Sequence, residues 1–259
     1  MSKTGAIITI GDELLAGDIE NTNALWLATQ LTNRGVSVYE IRVVPDDINR
    51  IAKAVRELSQ ECTFVITTGG LGSTPDDITT SAIAEALSVP VEPHPEARCD
   101  IQTSVDDIRQ EHPEFNHDID RACRYPTNAT IVPNEEGISP GCICENVYVL
   151  PGIPTEMKAV FEHIRDEFSG PIQSESLYAD TPESHLAPIL ETVRNKFDVR
   201  VGCYPTDDHK RIQLVSVDTE ALFKAREWIH SHSAVELITL SDTDSDSDSD
   251  DSNSTQRID

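Results

Sequence analysis

The residues of this chain that can do chemistry lie just after short apolar runs. Thr67-Thr-Gly-Gly-Leu-Gly-Ser-Thr74 continues the β-branched run Phe64 to Thr68 and is followed at once by Asp76 and Asp77. Glycines at 69, 70 and 72 allow backbone amides to approach a phosphate or carboxylate closely, and a helix beginning after the turn would add the partial positive charge of its N-terminus. Ser73 and Thr74 complete the phosphate-binding set. The segment lacks the lysine of a P-loop and the spacing of a dinucleotide fingerprint, so it belongs to neither of those modes. Pro75 suits a first helical turn, which would place Asp76 and Asp77 there, where a carboxylate ordinarily caps a helix. Beside a bound phosphate, like charges tolerate each other only if a cation bridges them. A Mg²⁺-bridged phosphoanhydride therefore accounts for the glycines and the acids together.

Two further acidic sites occupy equivalent positions. Gly11-Asp12-Glu13-Leu14 follows the run Ala6 to Ile10, and Asp46-Asp47 follows Val36 to Val44. Three parallel strands would deliver these carboxylates to one sheet edge, with Asp12, Glu13, Asp76 and Asp77 as candidate metal ligands. Asn21 and Asn23 add neutral hydrogen-bonding groups, Asn23 on the nucleotide and Asn21 or Thr22 as a helix cap.

The elements that would position these groups read β-α-β-α-β-α. Strands at 6–10, 36–44 and 64–68 alternate with amphipathic helices. Ala24, Leu27, Ala28 and Leu31 mark the first helix, and Ile48, Ile51, Ala52, Val55 and Leu58 the second. This order predicts a doubly wound, mostly parallel sheet. Residues 90–128 read as a helical excursion, 141–150 as a hairpin turning near Glu145-Asn146, and 154–168 as a helix. After Gly170 a second pattern, βαββα, runs to about His232. The expected organisation is a first domain over 1–170, a small α+β domain over 171–240, and a disordered acidic tail over 241–259, whose alternating Ser and Asp offer no apolar group to offset ordering entropy. A truncation ending at Leu240 is expected to keep fold and activity.

Composition narrows the class further. The 259 residues include 20 Lys and Arg against 46 Asp and Glu, a formal charge of −26, and 38% are hydrophobic. The hydrophobic share suffices for real cores. The charge disfavours nucleic-acid partners, and high salt would screen it. No apolar run approaches the length of a bilayer span and no signal peptide is evident, so a cytoplasmic, non-membrane protein is expected. Six cysteines at 62, 99, 123, 142, 144 and 203 form no C-x-x-C pair and read as small buried apolar residues.

Four ordered segments resemble one family: Gly11-Asp-Glu-Leu-Leu, Asn21-Thr-Asn, Thr67-Thr-Gly-Gly-Leu-Gly-x-Thr-x-Asp-Asp, and Leu150-Pro-Gly-Ile-Pro-x-Glu-Met-Lys158. Together they look like the N-terminal, MoaB/Mog-type molybdopterin-binding part of the competence/damage-inducible protein A (CinA) family. The resemblance implies a three-layer α/β/α sandwich, a homo-oligomer, and ligand contacts from Gly69, Gly70 and Gly72. It also implies functional aspartates at 46 and 77 and an acidic pair at Asp12 and Glu13. Bacterial members continue into an amidase domain acting on nicotinamide mononucleotide, whereas this chain ends in the acidic tail, so deamidation is not expected. The expected activity is Mg²⁺-dependent hydrolysis of ADP-ribose or a similar phosphoanhydride, with Asp77 and Asp46 catalytic. The alternatives are adenylyl transfer to molybdopterin, or binding of a nucleotide or pterin without turnover.

Overall fold

The computed structural model describes residues 3–206 and 208–238; the tail expected from 241 onward lies outside them. Contacts divide the chain into two compact units, the first Met1–Ile172 and the second beginning at Gln173.

The first unit opens with β1 (Thr4–Ile10), a short helix α1 (Asp12–Ala16) and α2 (Thr22–Asn33), followed by β2 (Ser37–Val44), α3 (Ile48–Glu61) and β3 (Phe64–Thr68). Asn21 caps α2 by accepting the Ala24 N–H, and Asp47 caps α3 by accepting the Arg50 N–H. The next helix, α4 (Thr79–Leu87), begins later than Pro75 suggested. The excursion comprises β4 (Val91–Pro93), α5 (Pro95–Glu111), α6 (Ile119–Ala122) and β5 (Arg124–Pro126), with β4 and β5 forming a small antiparallel pair. The chain then returns to the main sheet through β6 (Thr130–Val132), β7 (Gly141–Cys144) and β8 (Val147–Leu150), and α7 (Pro154–Ile164) closes the layer.

The six-stranded sheet has the order β2-β1-β3-β8-β7-β6. β1 runs parallel to β2 and β3, and β3 parallel to β8, whereas β7 is antiparallel to both neighbours. Alternation along the strands feeds two cores. Ile8, Ile10 and Val65 pack with Ile51, Val55, Leu58 and Ile83 from α3 and α4, while Ile7 and Ile66 pack with Leu27, Leu31, Met157 and Phe161 from α2 and α7. The result is a three-layer α/β/α sandwich. Each such Leu or Ile contributes about 1.5–3 kcal/mol when fully buried. Cys142 and Cys144 belong to the first of these cores. On the α2 side, Trp26 stands edge-on to Phe161 with centroids 5.1 Å apart, and the Lys158 ammonium lies 5.7 Å from its ring.

The second unit comprises β9 (Gln173–Ala179), α8 (Glu183–Lys196), β10 (Arg200–Pro205), β11 (Lys210–Ser216), α9 (Thr219–His230) and the short β12 (Leu237–Ile238), which the sequence pattern did not reveal. Its antiparallel sheet, ordered β10-β11-β9-β12, carries Ala179, Ile212 and Leu214 against Leu186, Val193, Leu222 and Ile229 of the two helices. Trp228 of α9 packs with Phe197 and His232 in this unit. Among the described residues no helix is long and apolar enough to cross a membrane.

Candidate functional site

In the sheet order, β2 lies on one side of β1 and β3 on the other, so the connections leaving β1 and β3 diverge at their carboxyl ends. Open α/β sheets form ligand crevices at such a switch point. A cleft of about 800 Å³ lies there, lined by Gly11, Glu13, Asn21, Asn23, Asp46, Gly69 to Thr74, Asp76 and Asp77. Segments far apart in sequence meet here because each follows the end of a parallel strand.

The glycine segment is shaped by two residues with positive φ, Gly69 at 111° and Gly70 at 64°. A side chain on Gly69 would run into the Ile10 carbonyl oxygen, and one on Gly70 into the Thr79 hydroxyl. The Gly69 N–H is bonded to the Leu150 carbonyl at 3.2 Å, extending the β3–β8 pairing, so Gly69 makes the turn and donates to the sheet. Among the described residues, the N–H groups of Gly70, Leu71, Gly72 and Ser73 have no protein acceptor. A run of unpaired amides of this kind suits an anion.

Asp76 and Asp77 do not lie in a helical turn. The Asp77 carboxylate folds back to accept the Thr74 N–H at 2.8 Å, latching a tight turn, and α4 begins only at Thr79. The Thr79 hydroxyl then donates to the Gly69 carbonyl at 2.8 Å, closing the loop. Thr74 Oγ1 lies 2.5 Å from Asp76 Oδ1 and 2.6 Å from Asp77 Oδ2, and its single proton serves one of them at a time. The Thr74 hydroxyl, the largest influence on it, holds the exposed Asp76 carboxyl below its ordinary range.

With Asp47 committed to capping α3, Asp46 is left for the cleft. Its Oδ2 accepts the Asp12 N–H at 3.0 Å. Burial, then the carboxylates of Asp12, Glu13 and Asp76, push the Asp46 carboxyl above its ordinary value, partly offset by the Asp12 N–H. Carboxylates following two other strands thus act on Asp46, and oxygen donors of this kind suit a divalent cation. Glu13, Asp46, Asp76 and Asp77 line the cleft; the Asp12 side chain is exposed, and Asp12 contributes its amide to Asp46. Among the described residues no three His, Cys, Asp or Glu are grouped closely enough to hold a metal by themselves. Mg²⁺ commonly takes only one or two carboxylates and completes its shell with phosphate oxygens and water.

Asn23 fastens the cleft floor, its Nδ2 donating to Thr68 Oγ1 at 3.1 Å and to the Gly152 carbonyl at 2.7 Å. Its buried Oδ1 has no partner among the described residues. Two cleft residues escaped the sequence reading of the site. His117, from the excursion, lies 3.4 Å from the Ser73 hydroxyl, and burial lowers its pKa; only the fold brings it here. Glu156 lay in the Pro-Gly-Ile-Pro-x-Glu-Met-Lys segment, but its motif position gave it no role.

Residues 6–168 match the family model described as "Probable molybdopterin binding domain". Residues 171–242 match the model described as "FAD synthase, middle domain". A relative from Archaeoglobus fulgidus is 36% identical over 221 residues, covering 85% of this chain and 93% of that protein. A CinA-like protein of Prochlorococcus marinus (strain AS9601) is 37% identical over 172 residues, which cover 64% of this chain but only 40% of its own length. The crystal structure of the CinA protein from Thermoplasma acidophilum, described as of unknown function, superimposes with a TM-score of 0.59 at 29% identity. It covers 64% of this chain and 99% of that one.

Proposed function

This chain belongs to the probable molybdopterin-binding domain family, as a CinA-type protein, and on that premise we propose that it hydrolyses the phosphoanhydride of ADP-ribose or a similar dinucleotide. The observation that carries the reading is the juxtaposition, in one cleft, of four unpaired consecutive amides, Gly70 to Ser73, with the carboxylates of Glu13, Asp46, Asp76 and Asp77. The amides hold a phosphate, and their fixed dipoles stabilise charge that grows on its oxygens as the anhydride breaks. Asp46, whose proton affinity is raised, takes the proton of the attacking water. The water oxygen bonds to one phosphorus, the bridging P–O bond breaks, and the products are two phosphomonoesters. Asp76 and Asp77, whose carboxylates meet at the Thr74 hydroxyl, are the residues that would hold Mg²⁺, which when bound would supply Lewis-acid polarisation of the phosphoryl oxygens.

Incubation with ADP-ribose in excess Mg²⁺ should release AMP and ribose 5-phosphate, followed by chromatography. FAD, also a dinucleotide phosphoanhydride, joins the panel because the second unit matches a domain of FAD synthase. ATP with molybdopterin tests adenylyl transfer, the reading that the molybdopterin-binding family description favours. Binding without product from any of these would make the chain a nucleotide or pterin binder.

The raised Asp46 carboxyl has a consequence that needs no substrate. A carboxyl whose folded pKa exceeds its unfolded value costs stability as pH rises through the carboxylate range, and that cost is fully present at neutral pH. Asp46→Asn keeps an acceptor for the Asp12 N–H and removes the charge. In chelator it should raise the melting temperature at pH 7, the gain shrinking as pH falls through the Asp range near about 4. Asp46→Asn melting at or below wild type at pH 7 would mean that the cleft does not disfavour the Asp46 charge.

A further inference from the structure

Part of the cleft wall is built by other segments: the loop 136–139, Pro151 to Ile153, and the first turn of α7 with Glu156. Asn134 is buried and organises this wall. Its Nδ2 donates to the Ser139 carbonyl at 2.9 Å and to Glu156 Oε2 at 2.8 Å, and its Oδ1 accepts the Glu136 N–H at 3.2 Å. Gly137 lies so close that any side chain there would strike the Glu156 carboxyl group. The carboxylate is therefore held in one place by an anchored amide and a bare backbone.

Glu156 Oε2 is engaged, whereas Oε1 has no hydrogen-bond partner among the described residues. Burial raises the Glu156 carboxyl above its ordinary value, and the single Asn134 N–H only partly opposes this. A positioned carboxylate oxygen left open in a ligand-sized cleft can accept a hydrogen bond from a ligand. Glu156 is carried by the first turn of α7, after β8, and not by the turns after β1, β2 and β3 that carry Glu13, Asp46, Asp76 and Asp77. A bare carboxylate repels phosphate, so its partner is another part of the ligand.

We propose that Glu156, fixed by Asn134, is the recognition residue for the non-phosphate end of the ligand, and that this end is a neutral group presenting N–H or O–H donors to the carboxylate. Two chemistries meet that description: the vicinal hydroxyls of a ribose and the amino-pyrimidinone edge of a pterin. A ligand ending in a further phosphate or a carboxylate is disfavoured there by like charge. This inference rests on the reading of the cleft as a nucleotide or pterin phosphate site and selects which phosphates it accepts.

The test measures binding rather than turnover. Calorimetric titration in Mg²⁺ uses three probes: inorganic phosphate, ribose 5-phosphate, and 6-hydroxymethylpterin phosphate. The wild-type protein should bind at least one of the two organic phosphates tenfold or more tightly than inorganic phosphate, and which one identifies the donor. Glu156→Gln can still accept the Asn134 N–H, so the loop stays anchored, but it offers an amide N–H where the open oxygen was. It should erase the tenfold preference and leave inorganic phosphate binding within twofold. A purely tethering Glu156 would leave the preference intact in Glu156→Gln. Absence of the preference in the wild type, or loss of inorganic phosphate binding along with it in the variant, would also overturn the proposal. Absence of the preference in the wild type overturns the proposal even if the variant does not fold. Failure of the hydrolysis reading is distinguishable, because it appears as no product while the preference persists.

Discussion

Asp77→Asn should lower kcat/KM for the proposed phosphoanhydride substrate by on the order of a hundredfold, about 2.7 kcal/mol of barrier, with little change in melting temperature. The reasoning starts from what Asn keeps. Its side-chain oxygen can still accept the Thr74 N–H and hydroxyl, the two bonds that hold the loop at 2.8 and 2.6 Å. What it loses is the negative charge beside the unpaired amides, where the proposed cation and substrate would meet. Steady-state kinetics with thermal unfolding as a fold control separate the two roles. Turnover per folded molecule near wild type, with a lowered melting temperature, would make Asp77 a loop latch and nothing more.

The second large effect is on stability. Gly69→Val would place a β-branched side chain at φ 111° and into the Ile10 carbonyl oxygen, at the point where β1 and β3 lie side by side. Backbone strain of about 1–3 kcal/mol and overpacking of about 1–3 kcal/mol combine there. In a unit of this size, on the order of 3 kcal/mol shifts the melting temperature by roughly 6–12 °C. Gly72→Ala is the control. Its added methyl meets the Asp77 carboxylate and no backbone, at a residue without positive φ. Gly72→Ala should therefore unfold close to wild type while weakening ligand, whereas Gly69→Val should unfold early with or without ligand. Equal melting temperatures for the two would mean that Gly69 is not the structural hinge of the turn.

The parts of the fold that were legible in the sequence are those set by local periodicity. Phe64 to Thr68 is a strand because five consecutive residues are buried on both faces, and the stripe Ile51, Ala52, Val55 and Leu58 is the face that α3 buries. The start of α4 was misread because Pro75 with two following aspartates imitates a helix N-terminus. The segment is instead a tight turn latched by a side-chain bond from Asp77 back to Thr74, which periodicity does not register. The acidic residues after each strand were legible as a group, since parallel strands must bring them to one edge. Their division of labour was not: Asp47 caps a helix, Asp12 offers its amide, and Asp46 faces the cleft. His117 and Glu156 enter through contacts between distant segments, where spacing carries no information.

The chain has two tryptophans, and they fall one in each unit: Trp26 against Phe161 and Lys158 in the first, Trp228 against Phe197 and Lys196 in the second. Each unit thus carries its own optical reporter. Replacing one indole by Phe leaves, under excitation selective for indole, an emission that belongs to the other unit alone, so the unfolding of either is visible in the intact chain. Trp26 does more, because its helix begins at Asn21 and Asn23 on the cleft. A ligand that settles against that helix end is positioned to change the colour of the light the first unit emits, without a label.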